Sequence, residues 1–341
     1  MGNWFRRLAN ALLLAGATFA GPGYSAGAAE AATLDYAAAG PHAVEVTLAE
    51  WQDAKRGRAV PVKIYAPKGL AGEAPLVLFS HGLGGTREGG AMWGEHWASH
   101  GIVSVHLQHK GSDEGVWIPE KGNIAGVSRA MKGAMTPGNL VARVGDVRFA
   151  LDEVERRKSA GEVPFNAVNL AKIGLAGHSF GAVTTLAASG QRFINARSTE
   201  PMLKEPRLKA AIAMSPNARS KSQLDEQFGE LRLPLLFLTG TADGAVLGDG
   251  TKPEDRTLPF RHAPGPDKVL AVLEGADHMI FNGHALRRKE TPRDAVIQAD
   301  VRAITLAFWK ATLDGDRHAR AWLMDGGAKS MLTARDRYET K

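Results

Sequence analysis

The chain contains no cysteine. That excludes a disulfide framework, a thiolate metal site, a cysteine nucleophile and a lipid anchor on an N-terminal cysteine. Past the N-terminus, no apolar run approaches the roughly eighteen residues needed to cross a bilayer. Charge of one sign is not in large excess either. Against 36 acidic residues stand 42 basic ones, and the net charge of +6 falls to about +4 once Arg6 and Arg7 are discounted. The basic residues are scattered, as in Lys55-Arg56-Gly57-Arg58 and Arg287-Arg288-Lys289. Nucleic-acid binding is therefore not implied, and a mild attraction to anionic surfaces is the most the charge supports. A nucleotide fingerprint is missing too, because Gly82-Leu83-Gly84-Gly85-Thr86 lacks the lysine and the spacing.

What is present is an ordinary globular composition, with 44% hydrophobic and 23% charged residues over 341 positions. Such a chain can hold itself together by its core, without staples. Arg6 and Arg7 precede a short apolar run from Leu8 to Ala20, followed by small residues through Ala32. The pattern predicts a secretory signal peptide over residues 1–28, with an A-x-A-like site at Ala26-Gly27-Ala28 and cleavage somewhere between 20 and 32. The apolar run is too short for a comfortable membrane anchor. The mature protein is expected to be periplasmic or secreted, with no stable membrane insertion. Residues 35–341 show no repeat and no long linker, and are expected to form a single domain.

Val44–Leu48 and Val60–Tyr65 alternate around a turn-rich Lys55–Arg58 and predict an antiparallel hairpin at one edge of a sheet. Pro75–Ser80 is a continuous apolar run, the pattern of a strand buried on both faces. Further strands are expected at 101–106, 172–176, 208–214, 234–239 and 268–273. Helices are expected at 92–99, 139–157, after 181, and at 293–312, with 110–138 as a long irregular segment. Alternating strands and helices behind the hairpin predict an α/β fold, a mostly parallel central sheet with helices on both faces. Ligands of such sheets bind beyond the carboxyl ends of the strands.

The chemistry centres on Gly177-His178-Ser179-Phe180-Gly181, where a strand runs into a helix. G-x-S-x-G at such a turn is the nucleophile elbow of α/β-hydrolases. The turn is tight, so the residues two before and two after the serine must be small. A serine nucleophile needs a base and a third group to hold that base. The acid candidate is Asp243, in the loop after the strand that begins at Pro234. Its rivals are Asp277, Asp249 and Asp225. The base candidate is His278, just past the strand that begins at Lys268. Ser80-His81-Gly82-Leu83-Gly84-Gly85 is a second glycine-rich strand exit, and it predicts the other arm of an oxyanion hole. The backbone N–H groups of Leu83 and Phe180 are the expected donors. His81 is expected to brace the loop, and His178 to pack within the elbow. Trp93 and Trp117 are candidates for lining the pocket. His106 and His109 could suggest a metal site, but strand residues three apart face opposite sides and no further ligand pattern follows. No metal or cofactor is expected.

Leu76–Gly85, Trp97–Val105, Asn139–Asp152 and Gly177–Gly181 together resemble the group of predicted dienelactone hydrolases and platelet-activating-factor acetylhydrolase-like proteins. The resemblance covers most of residues 60–310 and is strongest between 75 and 190. It implies an α/β-hydrolase acting on esters through Ser179, Asp243 and His278, with backbone donors at Leu83 and Phe180. Two departures stand out. Dienelactone hydrolases use a cysteine nucleophile, which this chain lacks. Acetylhydrolases of the lipid-mediator type take their acid just after the strand that follows the elbow helix, where this chain reads Ala213-Met214-Ser215-Pro216. That difference favours Asp243 and counts against a phospholipid substrate.

The expectation is an exported serine esterase acting on a small-molecule or polymeric ester, with segments 110–138 and 216–232 walling the cleft. No pattern of a large apolar lid helix is present, so short acyl chains are expected. The same machinery also suits a polyester, lactone or amide hydrolase, or an acyltransferase. From another class, a catalytically silent hydrolase fold used for binding is the alternative.

Overall fold

The computed structural model describes residues 35–341 except 196–197, 200–202, 219, 247, 249 and 284–290. The signal-peptide expectation, on residues 1–28, lies outside the described residues. From Asp35 onward the chain forms one compact unit.

Among the described residues, nine strands make the main sheet: β1 (Val44–Asp53), β2 (Arg58–Pro67), β3 (Ala74–Ser80), β4 (Val103–Leu107), β5 (Val168–His178), β6 (Ala210–Met214), β7 (Leu235–Ala242), β8 (Lys268–Asp277) and β9 (Arg337–Thr340). Their spatial order is β1-β2-β4-β3-β5-β6-β7-β8-β9. β1 and β2 pair antiparallel at one edge, as the alternation predicts. From β4 to β8 every neighbouring pair is parallel. β9 closes the other edge antiparallel to β8. This last strand was not foreseen, because four residues reading Arg-Tyr-Glu-Thr carry too little apolar pattern to stand out.

Helices α1 (Ala91–Ser99), α2 (Ile124–Ala134), α3 (Pro137–Ser159), α4 (Phe180–Ser189), α5 (Leu224–Phe228), α6 (Leu258–His262) and α7 (Pro292–Trp309) cover the sheet. Alternation along β3 shows how both faces are filled. Val77 and Phe79 join the layer under α1 and α7, with Trp97 and Trp309. Leu76 and Leu78 join the layer under α3 and α4, with Val144, Val147 and Val183. All seven residues of β3 are buried, which explains why its run of apolar residues has no polar face.

The segment 110–138 is not irregular throughout. It contains two 3-10 turns and the eleven-residue α2. Glycines at 126 and 133 weaken its helical propensity. The helix is nevertheless capped by Asn123, whose side chain accepts from the N–H of Gly126, and it packs Val127 and Met131, one turn apart, against the cleft. Among the described residues, no helix is long and apolar enough to cross a membrane.

Candidate active site

Because β3, β5, β7 and β8 run parallel, their carboxyl ends meet at one edge of the sheet. β3 ends in the loop His81–Gly85, β5 in Ser179, β7 in Asp243 and β8 in His278. Ser179 and His278 both face one cleft of about 600 Å³, together with Leu83, Trp117, Phe180 and Arg256.

Ser179 sits at φ 56°, ψ −115°, a conformation that costs a non-glycine residue of the order of 1–3 kcal/mol. The surrounding backbone imposes it. The N–H of Ser179 donates to the carbonyl of Met214 at 2.9 Å, and its own carbonyl accepts from Val183 at 3.1 Å. A Cβ on Gly177 would fall on the carbonyl of Gly181, and one on Gly181 would fall on the carbonyl of Ser80. The G-x-S-x-G spacing is thus a steric requirement of strand, helix and β3 meeting at one point. Gly181→Ala is expected to destabilise the protein by roughly 1–3 kcal/mol through overpacking against β3. Thermal unfolding would register this as a Tm lowered by several degrees.

Asp243 is fully buried. Its Oδ1 accepts from Nδ1 of His278 at 2.8 Å, and its Oδ2 accepts from the hydroxyl of Thr239 at 2.8 Å. Burial works to raise the pKa of this carboxyl. The His278 hydrogen bond and the Arg256 guanidinium outweigh it and hold Asp243 below the ordinary carboxylate value. With Nδ1–H engaged by Asp243, Nε2 of His278 is the nitrogen left to take a proton. A register shift in β8 between Leu273 and Asp277 re-aims the chain just before the imidazole.

Two of the rival acids are placed elsewhere. Oδ1 of Asp277 caps the turn after β8, accepting from the N–H groups of Met279 and Ile280 at 3.0 and 3.1 Å. Asp225 is exposed and pairs with His262 at 2.7 Å. Asp249 lies outside the described residues.

His178 does more than fill space. Its Nε2–H donates to the carbonyl of His278 at 2.7 Å, and the two rings lie 4.7 Å apart. Burial, with His278 beside it, pushes its pKa well below the usual histidine value, so the ring is neutral. The loop after β3 closes on the same point. A Cβ on Gly82 would lie 3.3 Å from Nδ1 of His178 and 3.4 Å from Cβ of Ser179. In this loop the N–H groups of Gly84 and Gly85 donate to Ser112 and Gly82, whereas that of Leu83 has no hydrogen-bond partner among the described residues. Phe180 opens α4, where the first N–H groups have no intrahelical acceptor.

Trp117 lines the cleft and donates from Nε1 to the carbonyl of Gly84 at 2.8 Å. Trp93 does not line it, contrary to the sequence expectation. α1 turns Trp93 and Trp97 inward on one face, and Trp93 is fully buried with Nε1 donating to the carbonyl of Phe281 at 2.9 Å. His106 and His109 point to opposite sides and form no common site. The His106 ring stacks on Phe79, while His109 meets Ser80 and Asp146.

Sequence reasoning missed Arg256. It is buried beside Asp243, with Nε 2.6 Å from Oδ1 of that carboxylate, and it also donates to the carbonyls of Asp243, Ser215 and Gly244. A lone arginine in a short 3-10 turn thirteen residues beyond Asp243 carries no signal of its own. Of the segments expected to wall the cleft, 110–138 supplies Glu114, Trp117, Val127, Met131 and Met135, while 216–232 supplies Asn217.

The family described as "Platelet-activating factor acetylhydrolase, isoform II" matches residues 57–115, which hold β2, β3, the Gly-rich loop, α1 and β4. A platelet-activating factor acetylhydrolase of Cavia porcellus is 24% identical to this chain over 308 residues. The match covers 80% of this chain and 66% of that protein.

Proposed function

We propose that this chain, an α/β-hydrolase of the platelet-activating-factor-acetylhydrolase-like group, is an exported serine esterase cleaving carboxylic esters of short acyl chains through an acyl-enzyme on Ser179. The observation that carries this reading is one cleft holding both a serine on a strained strand-to-helix turn and an imidazole already tethered to a buried carboxylate.

In this mechanism Nε2 of His278 takes the proton of Ser179 as Oγ attacks the ester carbonyl. Asp243 holds the imidazole in the Nδ1–H tautomer and stabilises the imidazolium. The N–H groups of Leu83 and Phe180 meet the oxyanion, where losing one donor typically costs about 10²–10³ in kcat. His278 returns the proton to the departing alcohol. Water then attacks the acyl-enzyme by the same route and releases the acid.

The cleft walls support a short acyl chain. Leu83, Trp117, Val127, Met131, Phe180 and Val183 give the cleft an apolar lining. Met131 and Trp117 close on Gly84 so tightly that a Cβ there would lie 2.6 Å from the Met131 sulfur and 2.9 Å from the indole. Asn217 and Asn282 also line the cleft and suit a polar alcohol portion.

The deciding experiment is labelling of the folded protein with a fluorophosphonate probe, with the modified residue located by mass spectrometry. Modification at Ser179 is expected, and an unlabelled folded protein would remove the reading. On p-nitrophenyl esters from acetate to palmitate, activity is expected to peak at four carbons or fewer. Met131→Ala is expected to move that peak about two to four carbons longer, since roughly three methylene volumes are freed in the cleft wall. A maximum at twelve carbons or more in the wild type would contradict the short-chain assignment. Export is tested by cell fractionation and intact mass, with a mature N-terminus expected between residues 21 and 33.

A further inference from the structure

Arg143 lies on α3 among Leu140, Val144 and Val147, and it is fully buried. A guanidinium costs several kcal/mol to desolvate unless its donors are satisfied. Among the described residues, no carboxylate pairs with it directly. Its Nε donates to the Ser112 hydroxyl at 2.8 Å, and its Nη1 donates to the carbonyl of His81 at 2.8 Å. Weaker contacts at 3.4 Å reach the hydroxyls of Ser80 and Thr184 and the carbonyl of Gly82. The guanidinium also lies 4.5 Å from the centre of the Phe180 ring. Burial pushes its pKa down to about 9, which leaves it cationic at neutral pH.

Beside it lies His81, whose Nδ1 is 3.2 Å from Nη2 of the guanidinium and whose tautomer is set by a backbone donor. The N–H of His109 donates to Nε2 of His81 at 3.0 Å. Nε2 is therefore unprotonated, and Nδ1–H of His81 donates to the carbonyl of Gly82 at 2.5 Å. Behind this sits a second serine–histidine–aspartate chain. Ser80 Oγ lies 2.9 Å from Nε2 of His109, and Nδ1 of His109 lies 2.9 Å from Asp146. All three residues are buried, so this chain meets no substrate. It carries the negative charge of Asp146, which Arg56 and Arg58 also bind, towards the guanidinium without direct contact.

The geometry points to Arg143 as the positioning residue of the oxyanion hole, a role that rests on the esterase reading above. A peptide group is planar and trans, so gripping its C=O fixes the direction of the N–H on its far side. The carbonyl of Gly82 belongs to the same peptide as the N–H of Leu83. Held by His81 and Arg143, that carbonyl turns inward and Leu83 N–H turns out. The preceding carbonyl, of His81, is held by Nη1 in the same sense. The other arm begins at Phe180, whose ring packs on the same cation. One buried fork thus sets the spacing between the two donors, and its charge polarises the peptides that carry them.

Arg143→Lys keeps a cation but loses the fork. The expected result is kcat lowered about 30- to 300-fold with KM within threefold. The inhibition constant for an alkyl trifluoromethyl ketone, whose serine adduct carries the oxyanion, should rise in parallel with the fall in kcat. A residue needed only for packing would lower the amount of folded enzyme and leave kcat per labelled serine and the ketone affinity alone. Folded Arg143→Lys with wild-type kcat and ketone affinity overturns the inference. Should that variant not fold, Ser112→Ala decides, since it removes the acceptor of Nε and leaves the guanidinium in place. The variant also removes the long 3.3 Å donation of that hydroxyl to the carbonyl of His109; it is expected to lower kcat about fivefold, with a matching loss of ketone affinity, and wild-type values for both overturn the role. The two readings fail separately. An unlabelled wild type removes the esterase assignment, whereas a labelled wild type with an unimpaired fork variant removes only this role.

Discussion

Ser179→Ala is expected to lower ester hydrolysis by about 10⁴–10⁶ in kcat and to abolish fluorophosphonate labelling. The reason is the loss of the bond-forming atom, since the oxyanion donors and the cleft remain. Residual turnover above water would come from those donors alone. Stability should not fall with activity, because the strained backbone at φ 56° is imposed by neighbours and not by the hydroxyl. Ser179→Gly extends the same argument. Glycine accepts that φ without steric cost, so the variant should be inactive yet more stable than Ser179→Ala, by about 1 kcal/mol. Thermal unfolding of the two variants side by side separates strain from chemistry. A serine replacement that retained more than a hundredth of the wild-type kcat would sink the nucleophile assignment.

The second large effect is Asp243→Asn, for which kcat should fall by about 10³–10⁴. An amide at Oδ1 can present an N–H to Nδ1 of His278 and so favours the tautomer that blocks Nε2. This substitution should also cost stability. Arg256 keeps its carbonyl acceptors at Ser215 and Gly244 but loses its carboxylate, so the loss should lie below the roughly 3–5 kcal/mol of an unpaired buried charge. Its pH dependence follows from the sign of the shift. The folded-state pKa of Asp243 is depressed, so its contribution is fully present above the unfolded carboxylate value near pH 4. It is lost as pH falls through the lower folded value. Denaturant titrations from pH 7 down to pH 3 should show a shallower acid decline for the asparagine variant than for the wild type. Equal slopes would mean that the carboxylate is not the group being titrated.

The layout of the sheet was readable because burial on two faces leaves a distinctive sequence pattern. β3 is buried on both faces and so reads as an unbroken apolar run, whereas in the edge hairpin β1 is largely exposed and β2 largely buried. α2 was missed for the opposite reason. Its glycines argue against a helix, and it exists because Asn123 caps it and Val127 and Met131 have a cleft to close. Trp93 was misplaced because its distance in sequence from the glycine loop says nothing about which side of α1 faces the core.

Arg143 and Asp146 left a trace that could have been read. Both fall on the apolar stripe of α3, between Leu140, Val144, Val147 and Leu151. Charged residues on such a stripe are too costly to bury without partners. The partners themselves, Ser112, His81 and His109, come from other loops and could not be named from spacing.

From the sequence alone came the chemical types and their order: a small-residue turn around Ser179, then a carboxylate and an imidazole, each just past an apolar strand. Those depend on local sterics and on the parallel direction of the strands, which short stretches encode. Tertiary structure alone decided which aspartate meets His278, where Arg256 and Arg143 put their charge, and which side chains line the cleft. Such contacts join residues tens of positions apart, and their energy depends on desolvation and hydrogen-bond direction, which no local pattern records.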